Sequence, residues 1–271
     1  MARRVVIASQ KGGVGKTTVA LNVAVALAER GRRTLLVDID PQGAVGLSLA
    51  KGDAELAGVA ELILGQAEPR QAVLATHLTG LSLLPRGRLD PTDVASFERE
   101  VSGPGVLEGA LSRVEADFDI VIVDAPSGVG LVPRAAMAVA DFVLVPFQTE
   151  NLALRSIGQV LRVIEHVQAT ENPRLRLLGI LPTMVERDRP TSLAVLREIW
   201  NGFPDALEMF VPRSEVFARA SERGLPVAYL AGATAPEARR FELIADELET
   251  RMNRIQGMEK ADEAKPARQL L

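Results

Sequence analysis

The chain has 271 residues, 47% of them hydrophobic and 24% charged, with a formal net charge of −4, two histidines and no cysteine. That is the composition of a globular protein with ample apolar surface for one core, and the missing thiols exclude disulfides, thiolate zinc and cysteine-held iron–sulfur clusters. Net acidity argues against a protein that coats nucleic acid along its whole surface, while leaving room for a local basic patch.

Taken in chain order, short β-branched runs alternate with longer helical patterns. This predicts βαβ units and an α/β fold with a doubly wound, mostly parallel sheet flanked by helices. The expected strands are "RVVIAS" (3–8), "RTLLVD" (33–38), "LSLLP" (81–85), "DIVIVD" (119–124), "DFVLVP" (141–146), "LRLLGILP" (175–182) and "EMFVP" (208–212). Most are nearly continuous apolar runs, as strands covered on both faces require. Helices are expected over 16–30, 105–116, 151–168, 190–202 and 236–256, and 43–105 mixes short helices with turns. With no repeat and no dividing linker, residues 1–256 are expected to form a single domain, followed by a polar tail, "GMEKADEAKPARQLL" (257–271). No apolar run reaches the roughly 18 residues that span a bilayer. "VVIAS" follows Met1-Ala2-Arg3-Arg4 too closely for a signal peptide, so the cytoplasm is the expected compartment.

The first strand leads into "SQKGGVGKTT" (9–18) and then into "TTVALNVAVALAERG", a helical pattern closed by Gly31. Strand, glycine loop and helix are the setting of a phosphate-binding loop. Backbone N–H groups of Gly12, Gly13, Val14, Gly15, Lys16, Thr17 and Thr18 would converge on an anion at the helix start. Lys16 would reach the β- and γ-phosphates of ATP, and the Thr17 hydroxyl would ligate Mg²⁺. Two features depart from the general G-x-x-x-x-G-K-[ST] pattern. Gln10 stands where its first glycine would be, and a second lysine, Lys11, follows.

That "KGGVGKT" string resembles the deviant Walker A loop of the ParA/MinD family of ATPases, and the resemblance extends over roughly residues 3–248. It implies that Lys11 crosses a dimer interface to the phosphates of the partner's nucleotide. "VDIDPQG" resembles the family's first switch, in which Asp40 would position the attacking water and help hold Mg²⁺ through its water shell. Asp38 is either a second acid of the site or a turn cap, and Gln42 either orients water or shapes the turn. "FDIVIVDAPSGVG" (118–130) is similar to a Walker B strand and second switch. Asp124 would bind Mg²⁺ through water, and Gly128 would let the backbone approach the γ-phosphate. Glu150 is either a residue near the dimer interface or an ordinary helix-start acid. The late loops resemble the family's adenine-binding segments, which puts Pro212 and Ser214 at the base; the family often has Asn where Ser214 stands. His77 and His166 read as structural. Catalysis is then left to positioning and charge, as phosphoryl transfer allows, with slow turnover.

For what such a switch drives, the resemblance implies an ATP-dependent homodimer that binds double-stranded DNA non-specifically. A ParB-like or other adaptor would stimulate hydrolysis and release it, so the protein would be cytoplasmic and nucleoid-associated. Arg187, Arg189, Arg197, Arg213, Arg219 and Arg223 are the candidate DNA contacts, although Glu186, Asp188, Glu215 and Glu222 are interleaved and a mixed solvated surface reads equally from the pattern. A MinD-like membrane cycle is the alternative, but the C-terminus lacks the basic, bulky amphipathic stripe it needs, so no membrane is expected. A metabolic enzyme on the same scaffold is the third reading. With two residues before the first strand, an N-terminal helix-turn-helix is not expected.

Overall fold

The computed structural model describes residues 2–43, 45, 56–150, 153–230 and 236–263. Seven strands form one sheet: β1 Arg3–Ile7, β2 Thr34–Asp38, β3 Leu74–Ala75, β4 Leu81–Leu84, β5 Ile120–Asp124, β6 Phe142–Gln148 and β7 Arg176–Thr183. Their spatial order is β3-β4-β2-β5-β1-β6-β7, parallel throughout except for the antiparallel β3–β4 pair at one edge. The longer helices are α1 Lys16–Glu29, α2 Val94–Val101, α3 Val106–Ser112, α4 Leu131–Ala138, α5 Ala153–Thr170, α6 Pro190–Gly202, α7 Glu215–Arg223 and α8 Pro236–Glu263.

The unbroken apolar strands are explained by two cores, one on each face of the sheet. Successive residues of a strand point to opposite faces. Val121 and Val123 of β5 therefore join Val6, Val143 and Val145 under α2–α5, around Phe97, Leu107, Leu111 and Val160. Ile120 and Ile122 join Val5, Ile7 and Leu144 under α1 and α8, around Leu27, Phe241 and Leu248. A strand with polar alternation would have left one helical layer without a surface to cover.

Three expectations change. Residues 208–212 do not form a strand; Ala206, just before the stretch, bridges Ile180 of β7, Val211 N–H donates to Pro182 O, and Pro212 bridges Val185 just past the end of β7. Pro182 and Pro212 have no N–H to give, so a continuous ladder cannot form there. The close approach is made at Gly179, where a Cβ would lie 2.1 Å from Leu207 Cδ1. The two-residue β3 is an element the sequence pattern does not reveal. Finally, α8 continues through Gly257 to Glu263, beyond the expected boundary at 256; residues 264–271 of the expected tail lie outside the described residues.

Candidate active site

All three motifs meet at the C-terminal end of the central strands, where open α/β sheets bind ligands. The loop after β1 needs tight curvature, and Gly13 and Gly15 supply it at φ 74° and 88°. Gly15 is also the N-cap residue of α1, so the loop's N–H groups and the positive end of the helix dipole converge. The loop is pinned from below by Thr183 at the end of β7, whose single hydroxyl proton is shared between Val14 O at 2.8 Å and Phe147 O at 2.9 Å. The Ser9 hydroxyl donates to Lys11 O.

Lys16 is buried and donates to the Ser127 hydroxyl in the loop after β5. Burial pulls its ammonium below the ordinary lysine range, against the opposing effects of Asp124 and Asp40. The Thr17 hydroxyl donates to Asp124 Oδ2 at 2.7 Å. Asp124 is fully buried, and its Oδ1 has no hydrogen-bond partner among the described residues. An orphaned carboxylate oxygen beside a threonine hydroxyl suits a hydrated divalent cation, which takes oxygen ligands and keeps several of its waters.

Asp38 stands directly opposite Asp124 in the β2–β5 register. Its oxygens accept from the backbone N–H groups of Asp40, at 2.9 Å, and Val45, at 3.1 Å. Of its two sequence readings, the geometry is that of the turn cap. Asp40 lies one step further out, with Oδ1 accepting from Gln42 N–H at 2.9 Å, and the Gln42 side chain is exposed. Gly128 has a φ of 105° and donates its N–H to Ser9 O, tying the second switch to the phosphate loop.

The buried acids are electrostatically costly. Burial first, and the Asp124 carboxylate second, raise Asp38 to about 8, against the two backbone donors. Burial also raises Asp124 to about 7, with Asp40 adding and Thr17 and Lys16 opposing. A carboxyl whose folded-state pKa exceeds its unfolded value keeps a proton that the unfolded chain has released. Its contribution to stability is complete below about pH 4 and is lost as pH rises through 7–8. The nucleotide-free protein is therefore expected to lose stability between pH 6 and pH 8, and Asp38→Asn to flatten that dependence. Denaturant unfolding at the two pH values checks this; an unchanged slope in the variant would assign the dependence to other groups.

Lys11 sits at the lip. Its ammonium pairs with Glu150 Oε2 at 2.7 Å, and both side chains are 49% exposed. Glu150 is thus an intrachain partner of Lys11. Ser214 caps α7, accepting from Val216 N–H, and Pro212 bridges Val185 just past the end of β7. Met184, between Thr183 and that bridge, is the only non-glycine residue with positive φ among those described. The arginines divide. Arg189 and Arg213 both engage Glu186, Arg187 stacks on Phe210, and Arg197, Arg219 and Arg223 are exposed. Ser127 and Thr183 were missed from sequence; only the unassigned position within "DAPSG" pointed toward the first.

A glycine loop at a helix start, a buried lysine and strand-end aspartates on a parallel sheet define a nucleoside-triphosphate-binding protein of the phosphate-loop class. Comparison with known proteins narrows this. A protein-family profile described as "AAA domain" matches residues 2–177. The chromosome-partitioning ATPase Soj of Thermus thermophilus is 37% identical over 92% of this chain and 96% of its own length. The chromosome partitioning protein ParA of Caulobacter vibrioides is 34% identical over 83% of this chain and 86% of its own. Among solved structures, cobyrinic acid a,c-diamide synthase of Mycobacterium smegmatis, with bound ADP and magnesium, superimposes with a TM-score of 0.75 at 35% identity, covering 91% of this chain and 93% of that one. The chain belongs to the AAA-domain family and, within it, is a ParA/Soj-type ATPase of the ParA/MinD group. Among the described residues, no helix is long and apolar enough to cross a membrane.

Proposed function

We propose that the protein is a partition or positioning ATPase whose Mg²⁺-ATP form is a sandwich dimer that binds duplex DNA without sequence preference and is released after adaptor-stimulated hydrolysis. Within the cell it would be nucleoid-associated. The observation that carries this reading is the pair of lysines on one loop: Lys16 is buried within its own site, whereas Lys11 is half exposed at the lip. Relatives named for chromosome partitioning support it.

In the reaction, water attacks the γ-phosphorus and the bond to the bridging oxygen of ADP breaks, releasing inorganic phosphate. Asp40 would orient that water, and the loop N–H groups with Lys16 would stabilise charge on the phosphate oxygens. Thr17 and Asp124 would hold Mg²⁺, which when bound offsets phosphate charge. Lys11 from the partner would add a further cation. Pro212 and Ser214 would border the base, Ser214 through its backbone because its hydroxyl caps α7.

The test is light scattering and duplex-DNA retention with ATP and with ADP, each with Mg²⁺. The expected result is a dimer that shifts DNA with ATP alone. A monomer under saturating ATP would overturn the sandwich; equal retention with both nucleotides, or none at any salt, would overturn the DNA part. A monomer that hydrolyses ATP only with a small carboxylate substrate would instead favour an amide-forming enzyme, the second reading suggested by the likeness to the diamide synthase.

A further inference from the structure

We infer that Arg187 and Arg240, gathered on the ring of Phe210, form the principal phosphodiester contact for duplex DNA; this rests on the DNA reading above. The guanidinium carbon of Arg240 lies 4.7 Å from the ring centroid, and that of Arg187 lies 5.4 Å from the same centroid. Two like charges are thus collected on one aromatic side chain at the outer edge of the sheet, between α6 and α8. Neither has a salt-bridge partner among the described residues. Asp188 adjoins Arg187 in sequence and Glu237 lies one turn before Arg240, but neither closes an ion pair. Partial burial and the Arg187 charge both lower Arg240 from its ordinary value.

Arg240 comes from α8 and Arg187 from the loop after β7, so the pairing is purely tertiary. The ring attracts both cations. What remains unmet is their mutual repulsion and the donor capacity of two guanidiniums, five N–H groups each. An anion bridging them meets both, and planar guanidinium suits phosphate oxygens better than a point charge does. Arg189 and Arg213, sequence candidates for the same role, are instead turned onto Glu186. A phosphate there would compete with a carboxylate already in place. The clamp therefore falls on one candidate the sequence offers and one it does not.

The experiment measures binding of mixed-sequence duplex to the Mg²⁺-ATP-loaded full chain across a salt series. Each phosphate contact contributes about 0.9 to the slope of log K against log salt. The Arg187→Ala/Arg240→Ala double variant is expected to show a slope shallower by about 0.9 per engaged protomer, the loss of one bridged phosphate, with ATP-dependent dimerisation intact by light scattering. Arg189→Ala/Arg213→Ala is expected to change the slope less, and Arg187→Lys/Arg240→Lys to restore most of it. Trp200, the only tryptophan, has its ring 6.4 Å from Phe210 and reports on the site directly. Its emission should respond saturably to duplex and not to inorganic phosphate. A double variant with the wild-type slope and affinity overturns the clamp alone. An equal Trp200 response to inorganic phosphate overturns it as a DNA site. A wild type that retains no duplex overturns the DNA reading and the clamp with it.

Discussion

Lys11→Ala is expected to abolish ATP-dependent dimerisation while leaving ATP affinity within a few fold of wild type. The two lysines of the loop have separable tasks. Lys16 is buried and aligned by Ser127, which on the proposed reading leaves it for the nucleotide bound by its own chain. Lys11 is held only by Glu150, in an ion pair whose two side chains are each half exposed. Exposed pairs of that kind contribute about 0–1 kcal/mol. A lysine carried into a water-poor interface against a partner's phosphates is another matter. Removing one member of a desolvated, hydrogen-bonded charge pair costs about 2–5 kcal/mol, or roughly 30- to several-thousand-fold in association. The exchange from Glu150 to phosphate is therefore favourable by magnitude, and a symmetric dimer makes it twice. ADP lacks the γ-phosphate and so offers Lys11 less negative charge. Light scattering of the variant with Mg²⁺-ATP, beside calorimetric titration with ATP, checks both halves. A dimer of wild-type strength would show that the second lysine is only a loop cation.

What could be read ahead of the structure divides along the range of the interactions involved. The phosphate loop was legible because its parts are contiguous: β1, two glycines with left-handed backbone and the start of α1 lie within residues 3–29. The doubly wound sheet was legible because burial on both faces leaves unbroken apolar runs such as "IVIVD". Elements determined by distant contacts were not. Residues 208–212 have strand-like composition, yet β7 presents a proline where the ladder would continue. Thr183 reaches the loop across 169 positions of sequence, and Arg187 meets Arg240 only through Phe210. Asp38 shows the same limit from the other side. Two aspartates at alternate positions of a strand end look alike in sequence. One is sunk opposite Asp124 with both oxygens on backbone donors, and the other stands further out with one oxygen held.

That difference between the two acids sets the second large effect: Asp40→Ala should lower ATP turnover by about 100-fold or more while the ATP-bound dimer forms and persists. The lower end is what a positioned side chain handling the attacking water typically contributes. Asp40 is the suitable residue because it is charged and partly accessible, and its Oδ2 is uncommitted among the described residues, whereas Asp38 and Asp124 are sealed in the sheet. The fold should tolerate the change. Asp40's own N–H still caps onto Asp38, and the substitution frees only the Gln42 N–H, next to an exposed side chain. The variant loses one contact to the water shell of Mg²⁺, but Thr17 and Asp124, its other holders on the proposed reading, stay in place, and the repulsion that helps to raise the Asp124 carboxyl is lessened. Phosphate release and dimer lifetime, measured on one preparation, separate the possibilities. Slow release with a long-lived dimer identifies Asp40 as the residue that orders the water. Slow release with no dimer would mean that it organises the interface, and turnover within threefold of wild type would move the catalytic role to another group of the first switch.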